Sequence, residues 1–180
     1  MSDELIHPAN RRIDRIRDAG FIEGLAELNL DDLRVRRDEC LAEREYLSLL
    51  RRLVQGRAEI LSAELETRGG HSDRASLIDR LSTILAGEEA HDAPRGEAVR
   101  VGVPEDELFL ARRRIESLVA DAGISDPTTL DDERLAAAVE LLTVEEREVS
   151  GARLDVIGVL DTVQDELKRR YKQDPSLVLH

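Results

Sequence analysis

The sequence predicts an all-α protein: a long antiparallel two-helix coiled-coil hairpin, with short helices and a flexible linker between the two long helices. Three observations carry that expectation. Leu33, Cys40, Leu47, Val54 and Leu61 recur every seven residues, and so do Leu135, Leu142, Val149, Val156 and Val163. A heptad seam of this kind marks a helix that packs on another long helix. The two seams also belong to copies of one stretch. A shift of 102 positions carries Ser48 to Ser150, Arg51 to Arg153, Gly56 to Gly158 and Leu65 to Leu167, and takes Glu59 to another carboxylate, Asp161. The composition agrees. Of 180 residues, 36% are charged and four are aromatic (Phe21, Tyr46, Phe109, Tyr171), which suits long, thinly packed helices better than a round globule.

The elements follow in order. Residues 1–11 look frayed, and Arg12 to Gly24 reads as a short helix with Ile13, Ile16 and Phe21 on its apolar side. Asn29 offers a side-chain cap, Asp31 and Asp32 fill the favourable first turn, and a long helix runs to about Arg68, where Gly69-Gly70 ends it. Ser72 caps a second short helix carrying Ala75, Leu77, Ile78, Leu81 and Ile84, which stops near Ala86 or Gly87. From Gly87 to Val103 the periodicity fails among Gly, Pro, His and mixed charges, the pattern of a mobile linker. Pro104 opens the next helix at its first position and carries it to about Ala122. Asp126-Pro127 breaks the chain, and Thr129 or Asp131 starts the second long helix, which reaches about Lys172 before Pro175. The segments are therefore 1–28, 29–69, 70–128 with its linker at 87–103, 129–173, and a tail at 174–180.

Beside each seam runs a polar stripe. Positions 44, 48, 51, 55 and 59 fall within about 80° of one another on a helix surface, as do 146, 150, 153, 157 and 161, and each stripe is about 22 Å long. One such stripe alone reads as a solvated face. Two copies that keep Ser, then Arg three residues on, then a carboxylate eight further, ask for more than polarity. Gly56 and Gly158 each cost about 1 kcal/mol against Ala in mid-helix. Close approach of a partner or ligand accounts for them, and so does simple tolerance. If the helices pack through equivalent seams, only the antiparallel arrangement turns both stripes to one side. That makes one composite site with Arg51 and Arg153 near its centre, suited to a two-fold symmetric polyanion.

Composition excludes several functions. A formal net charge of −13 argues against direct DNA or RNA binding, which needs a basic footprint. No run approaches the length of a membrane span, and the start MSDELIHPANRR is no signal peptide, so no membrane association is expected. The lone cysteine, Cys40, reads as a small core hydrophobe, which leaves no internal disulfide and fits the cytoplasm. His7, His71, His91 and His180 show no metal-ligand spacing. No nucleophile–base set, Gly-rich phosphate loop or zinc pattern is present, so the chain is not expected to be an enzyme.

The stripes resemble the signature of a known family, the actinobacterial RsiG anti-sigma factors, also called aerial mycelium formation proteins. That signature is E-x3-S-x2-R-x3-Q-x3-D, used once on each helix of a two-helix hairpin. The second copy here reads Glu146, Ser150, Arg153, Ile157 and Asp161, and the first Arg44, Ser48, Arg51, Gln55 and Glu59. Flanking stretches such as LDDLRVRRDEC, LSLLRRLVQGRAEILSAEL and DELKRRY are also similar to the family. The resemblance implies a regulatory ligand, cyclic di-GMP, bound as a pair of molecules by these ten residues. It also implies a partner, a WhiG-type sigma factor, sequestered so that a developmental programme such as sporulation stays repressed. The residue types suit this chemistry: Arg fits a phosphate or the O6/N7 edge of guanine, and Glu59, Glu146 and Asp161 accept from its N1–H and N2 donors. Arg44, Ile157 and Glu59 depart from the signature, with Arg44 placed to reach a phosphate instead. Those departures keep a second expectation open, a ligand-independent coiled-coil adaptor. Apolar positions left over after the seam is buried (Leu41, Leu49, Phe21 and Leu30) are expected to meet the sigma factor.

Overall fold

A computed structural model describes residues 12–70, 74–86, 104–121 and 127–176. The expected frayed start, the Ser72 cap, the linker at 87–103 and the break at Asp126 lie outside the described residues. Among the described residues five α-helices follow in order: α1 (Arg12–Arg17), α2 (Leu30–Arg68), α3 (Arg74–Ala86), α4 (Glu105–Asp121) and α5 (Asp132–Gln173). No strand occurs among the described residues. All ten heptad-seam residues are buried, none more than 4% exposed. Fully burying a Val or Leu side chain contributes about 1.5–3 kcal/mol, so the seam is the main apolar support of both long helices. Tertiary contacts divide the chain into two compact units: residues up to 45 with those from 151 on, and residues 46–150.

In the first unit, the start of α2 packs on the end of α5 around Leu25, Leu33, Val163 and Leu167, flanked by Phe21, Leu28, Leu30 and Tyr171. Asn29 caps α2 as expected, its Oδ1 accepting from Asp32 N at 2.8 Å. The helix expected over residues 12–24 is shorter. Asp18 is extended and its side chain accepts from Gly20 N, so α1 ends at Arg17 and a 3-10 turn follows at Ala19–Phe21. The short polar side chain offers the backbone a local partner that competes with the helix. Ion pairs hold α1 in place: Arg12 to buried Glu43 on α2 at 2.7 Å, and Arg17 to Asp155 on α5 at 2.6 Å. Arg170 closes the unit, donating to the carbonyls of Leu25 and Ala26, each at 2.9 Å, while its Nε bonds Glu166 at 2.9 Å.

In the second unit, the end of α2 packs on the start of α5. Arg51 meets Glu146 and Arg68 meets Asp132, so the two helices run in opposite directions here. Asp131 caps α5, accepting from Arg134 N at 2.8 Å, and the helix begins at Asp132. Pro104 stands one residue before α4 rather than inside it, with its carbonyl accepting from Leu108 N at 3.0 Å. Gly70, at φ +76°, terminates α2 in the left-handed region that glycine adopts without strain. Arg114 of α4 pairs with buried Glu145 of α5 at 2.6 Å. Arg68 donates to the carbonyls of Leu130 at 2.6 Å and Pro127 at 3.0 Å, its Nε held by Glu64 at 3.0 Å. These contacts repeat those of the first unit after the 102-position shift: Arg12–Glu43 becomes Arg114–Glu145, and Glu166–Arg170 answers Glu64–Arg68. The duplication therefore extends beyond the stripes to the short helices and the caps.

Candidate functional site

The second unit gathers three stripe residues on one atom of a fourth. Arg51 Nε donates to Glu146 Oε1 at 2.8 Å, Gln55 Nε2 at 3.1 Å, and Ser150 Oγ at 2.9 Å. Arg51 and Gln55 stand one helical turn apart on α2, and Glu146 and Ser150 one turn apart on α5. The i, i+4 spacing that aligns each pair on its own helix lets all four meet across the seam. The ion pair is partly shielded, with side chains 26% and 22% exposed. Burial opposes the ionised carboxylate of Glu146, but the hydrogen bonds from Arg51 and Ser150 prevail and hold its pKa below the ordinary value. The result is a carboxylate that stays charged and orders three donors from both helices.

The other stripe residues are placed differently. Ser48 is buried, so at this point the stripe enters the core instead of merely flanking it. A Ser on the seam side of α2 must hydrogen-bond within the protein, as buried hydroxyls do. Glu59 pairs with Arg80 of α3 at 2.8 Å, and Arg80 also reaches Glu66 at 3.1 Å. Arg44, Arg153, Ile157 and Asp161 belong to the first unit. There Arg44 bonds Glu45 at 3.0 Å, Arg153 and Ile157 are half-buried, and Asp161 is exposed. A Cβ added at Gly56 or Gly158 would meet nothing within 4 Å, so the chain's own packing does not require these glycines.

The four residues expected to face a partner are all half-buried. Phe21, in the 3-10 turn before α2, and Leu30, the first residue of α2, pack against the first unit's core of Leu25, Leu33, Val163 and Leu167. Arg36 covers the Phe21 ring at 5.2 Å from its centroid and donates to the Phe21 carbonyl. Leu41 and Leu49 are half-buried. The large apolar side chains that remain exposed are others, among them Phe109 and Leu110 of α4 and Leu141 and Val144 of α5. The heptad pattern could not find the two on α4, which lie outside it. A groove of about 420 Å³ lies in the second unit, lined by Leu110, Arg113, Arg114, Ser117, Leu118 and Glu145, and no stripe residue lines it.

Among the described residues no group of His, Cys, Asp and Glu is placed to hold a metal ion, and no helix is long and apolar enough to cross a membrane. Of the curated proteins compared, none matches this chain. A family model described as RsiG-like matches residues 20–85. The matched stretch contains Ser48, Arg51, Gln55 and Glu59, together with Arg80, whereas the second copy on α5 lies beyond it. Through residues 20–85 the chain is RsiG-like, a match that supports an RsiG-family anti-sigma factor and implies a sigma factor as its kind of partner.

Proposed function

We propose that this protein is a cyclic di-GMP-dependent anti-sigma factor that sequesters a WhiG-type sigma factor and so represses a developmental, sporulation-type programme. The observation that carries the reading is the meeting of Arg51, Gln55, Ser150 and Glu146, motif side chains of both copies, in a stretch that begins inside the RsiG-like match. Arg, Gln and a fixed carboxylate together offer the donors and acceptors that guanine presents on its two polar edges. The residues proposed for the ligand are those of the two motif copies: Ser48, Arg51, Gln55, Glu59, Glu146, Ser150, Arg153 and Asp161, with Arg44 and Ile157. Two ligand molecules bring about four negative charges, which the arginines offset within an acidic chain.

Isothermal calorimetry of the purified chain with cyclic di-GMP tests the ligand. Binding is expected, and Arg51→Ala and Arg153→Ala should each weaken it by about 1–3 kcal/mol, the scale of a bidentate guanine contact. Parent-like binding by both variants would reduce the stripes to solvated faces. No binding by the parent would favour a ligand-independent adaptor.

A further inference from the structure

We propose that α4 is the surface on which two copies of this chain pair, the two α4 helices lying antiparallel about a two-fold axis that passes between Phe109 and Leu110. The inference stands apart from the cyclic di-GMP reading and uses none of its residues. On α4, positions 106, 109, 110, 113 and 117 fall within about 100° of one another, and all five residues are exposed. Ala111, on the opposite side, is fully buried, and Arg114 reaches Glu145 of α5 at 2.6 Å. The outward face therefore carries an adjoining apolar pair, with Phe109 62% and Leu110 50% exposed. The chain's other phenylalanine, Phe21, packs on a core. The duplication does not ask for the pair either. The 102-position shift carries Phe109 and Leu110 onto His7 and Pro8.

The charges on this face decide what covers it. Read along α4, it runs acid, apolar, base: Asp106, then Phe109 and Leu110, then Arg113. Read backwards it runs base, apolar, acid, so an antiparallel copy is its complement. With the axis between 109 and 110, Asp106 of each copy lies level with Arg113 of the other. The two Phe109–Leu110 pairs then meet at the axis. Asp106 and Arg113 are separated by about 10.5 Å along the helix, which sets an ion pair about 5 Å to either side of the axis. An apolar centre with an aromatic anchor and a charged rim is the ordinary anatomy of an interface. The pairing also meets a constraint of the whole chain. Two chains of net charge −13 repel, and contact is least opposed where the surface is locally basic. Arg112, Arg113 and Arg114 supply such a place, three consecutive exposed arginines. One helix pair makes a small interface, so the dimer belongs to the weak, transient class.

Sedimentation velocity of the full chain over a concentration series, without ligand, tests the pairing, with helicity checked by circular dichroism. The parent should pass from monomer to dimer as concentration rises. Phe109→Ala should weaken the dimer about tenfold or more, because both copies lose their central anchor. Asp106→Arg and Arg113→Asp should each weaken it about tenfold or more, because either change sets like charges opposite one another at both ends of the contact. The decisive arm mixes those two variants in equal amounts. Each then presents the charges that complement the other, so the mixture should recover the dimer, and the chain carrying both changes should recover it alone. A parent that stays monomeric at every concentration would overturn the proposal, and loss of sigma capture by Phe109→Ala would then assign the face to that partner. A dimer indifferent to Phe109→Ala and to both charge reversals would overturn it by placing the contact elsewhere. Reversals that weaken the dimer without recovery in the mixture or the double variant would overturn it as well, by excluding the antiparallel register.

Discussion

Arg68 and Arg170 stand 102 positions apart and do the same thing. Each takes a glutamate one turn earlier on its own helix through Nε and sends its Nη groups to carbonyls in the turn that precedes the other long helix. The reason is chemical. The turn at 25–28 and the turn at 127–130 both leave carbonyls that no helix satisfies, and a guanidinium can bond several at once. Each compact unit is thus closed by one arginine.

Removing either closing arginine should destabilise the fold. Arg68→Ala and Arg170→Ala each take charged donors away from partly buried carbonyls, with an expected loss of about 1–3 kcal/mol. Urea unfolding of the full chain followed by circular dichroism measures it. Lysine at the same positions should recover less than half, because an ammonium cannot reproduce the planar fork. Changes within about 0.5 kcal/mol, the level of an ordinary surface substitution, would show the clamps to be idle.

Cys40 should be inert in the native protein. Burial first, then the negative charges of Glu39 and Glu43, push its thiol up to about 12 from an ordinary value of 9.0. The thiolate is the reactive form, so Ellman's reagent at pH 8 should react slowly with the folded chain and rapidly in denaturant. The raised value also fixes a direction. Folding favours the protonated thiol, so this contribution to stability is fully present below pH 9.0 and is lost as pH rises toward 12. Fast labelling of the native protein would show that the seam opens at position 40.

Glu166 sets the opposite limb. Hydrogen bonding from Arg169, opposed by burial and reinforced by Arg170, lowers its carboxyl from 4.5 to about 2. A depressed carboxyl stabilises the fold fully above 4.5, and that stability is lost as pH falls toward 2. Glu166→Gln should therefore flatten the acid side of the stability profile and lower the plateau near neutrality. An unchanged acid limb would place the sensitivity elsewhere.

Much of this architecture was legible in the residues. The ten seam positions are buried because apolar recurrence every seven residues has one physical meaning, and Asn29 and Asp131 cap their helices because short polar side chains in that place can do little else. The Arg51–Glu146 tether was not legible. Which polar partner a stripe residue meets depends on the register between helices 95 positions apart, and the repeat leaves that register open. The end of α1 was missed for a local reason, the bond between Asp18 and Gly20. The closing arginines and the paired Glu43 and Glu145 did leave a signal. Carried past the stripes in both directions, the 102-position shift aligns all of them. That Phe21 and Leu30 also pack on the core was not legible, because the heptad pattern says nothing of where the segment before the seam folds.

If the proposed function holds, ligand binding and sigma binding are one coupled equilibrium. An acidic chain has little need of a messenger unless the ligand forms part of the contact surface or fixes the helices that do. Linkage then demands reciprocity: the factor by which cyclic di-GMP tightens sigma binding is the factor by which sigma tightens cyclic di-GMP binding. Capture of a purified WhiG-type sigma factor by the immobilised chain, with and without saturating cyclic di-GMP, measures it most directly. The expected result is strong capture with the nucleotide and weak capture without it. Equal capture in both conditions would contradict the claim and leave a ligand-independent adaptor.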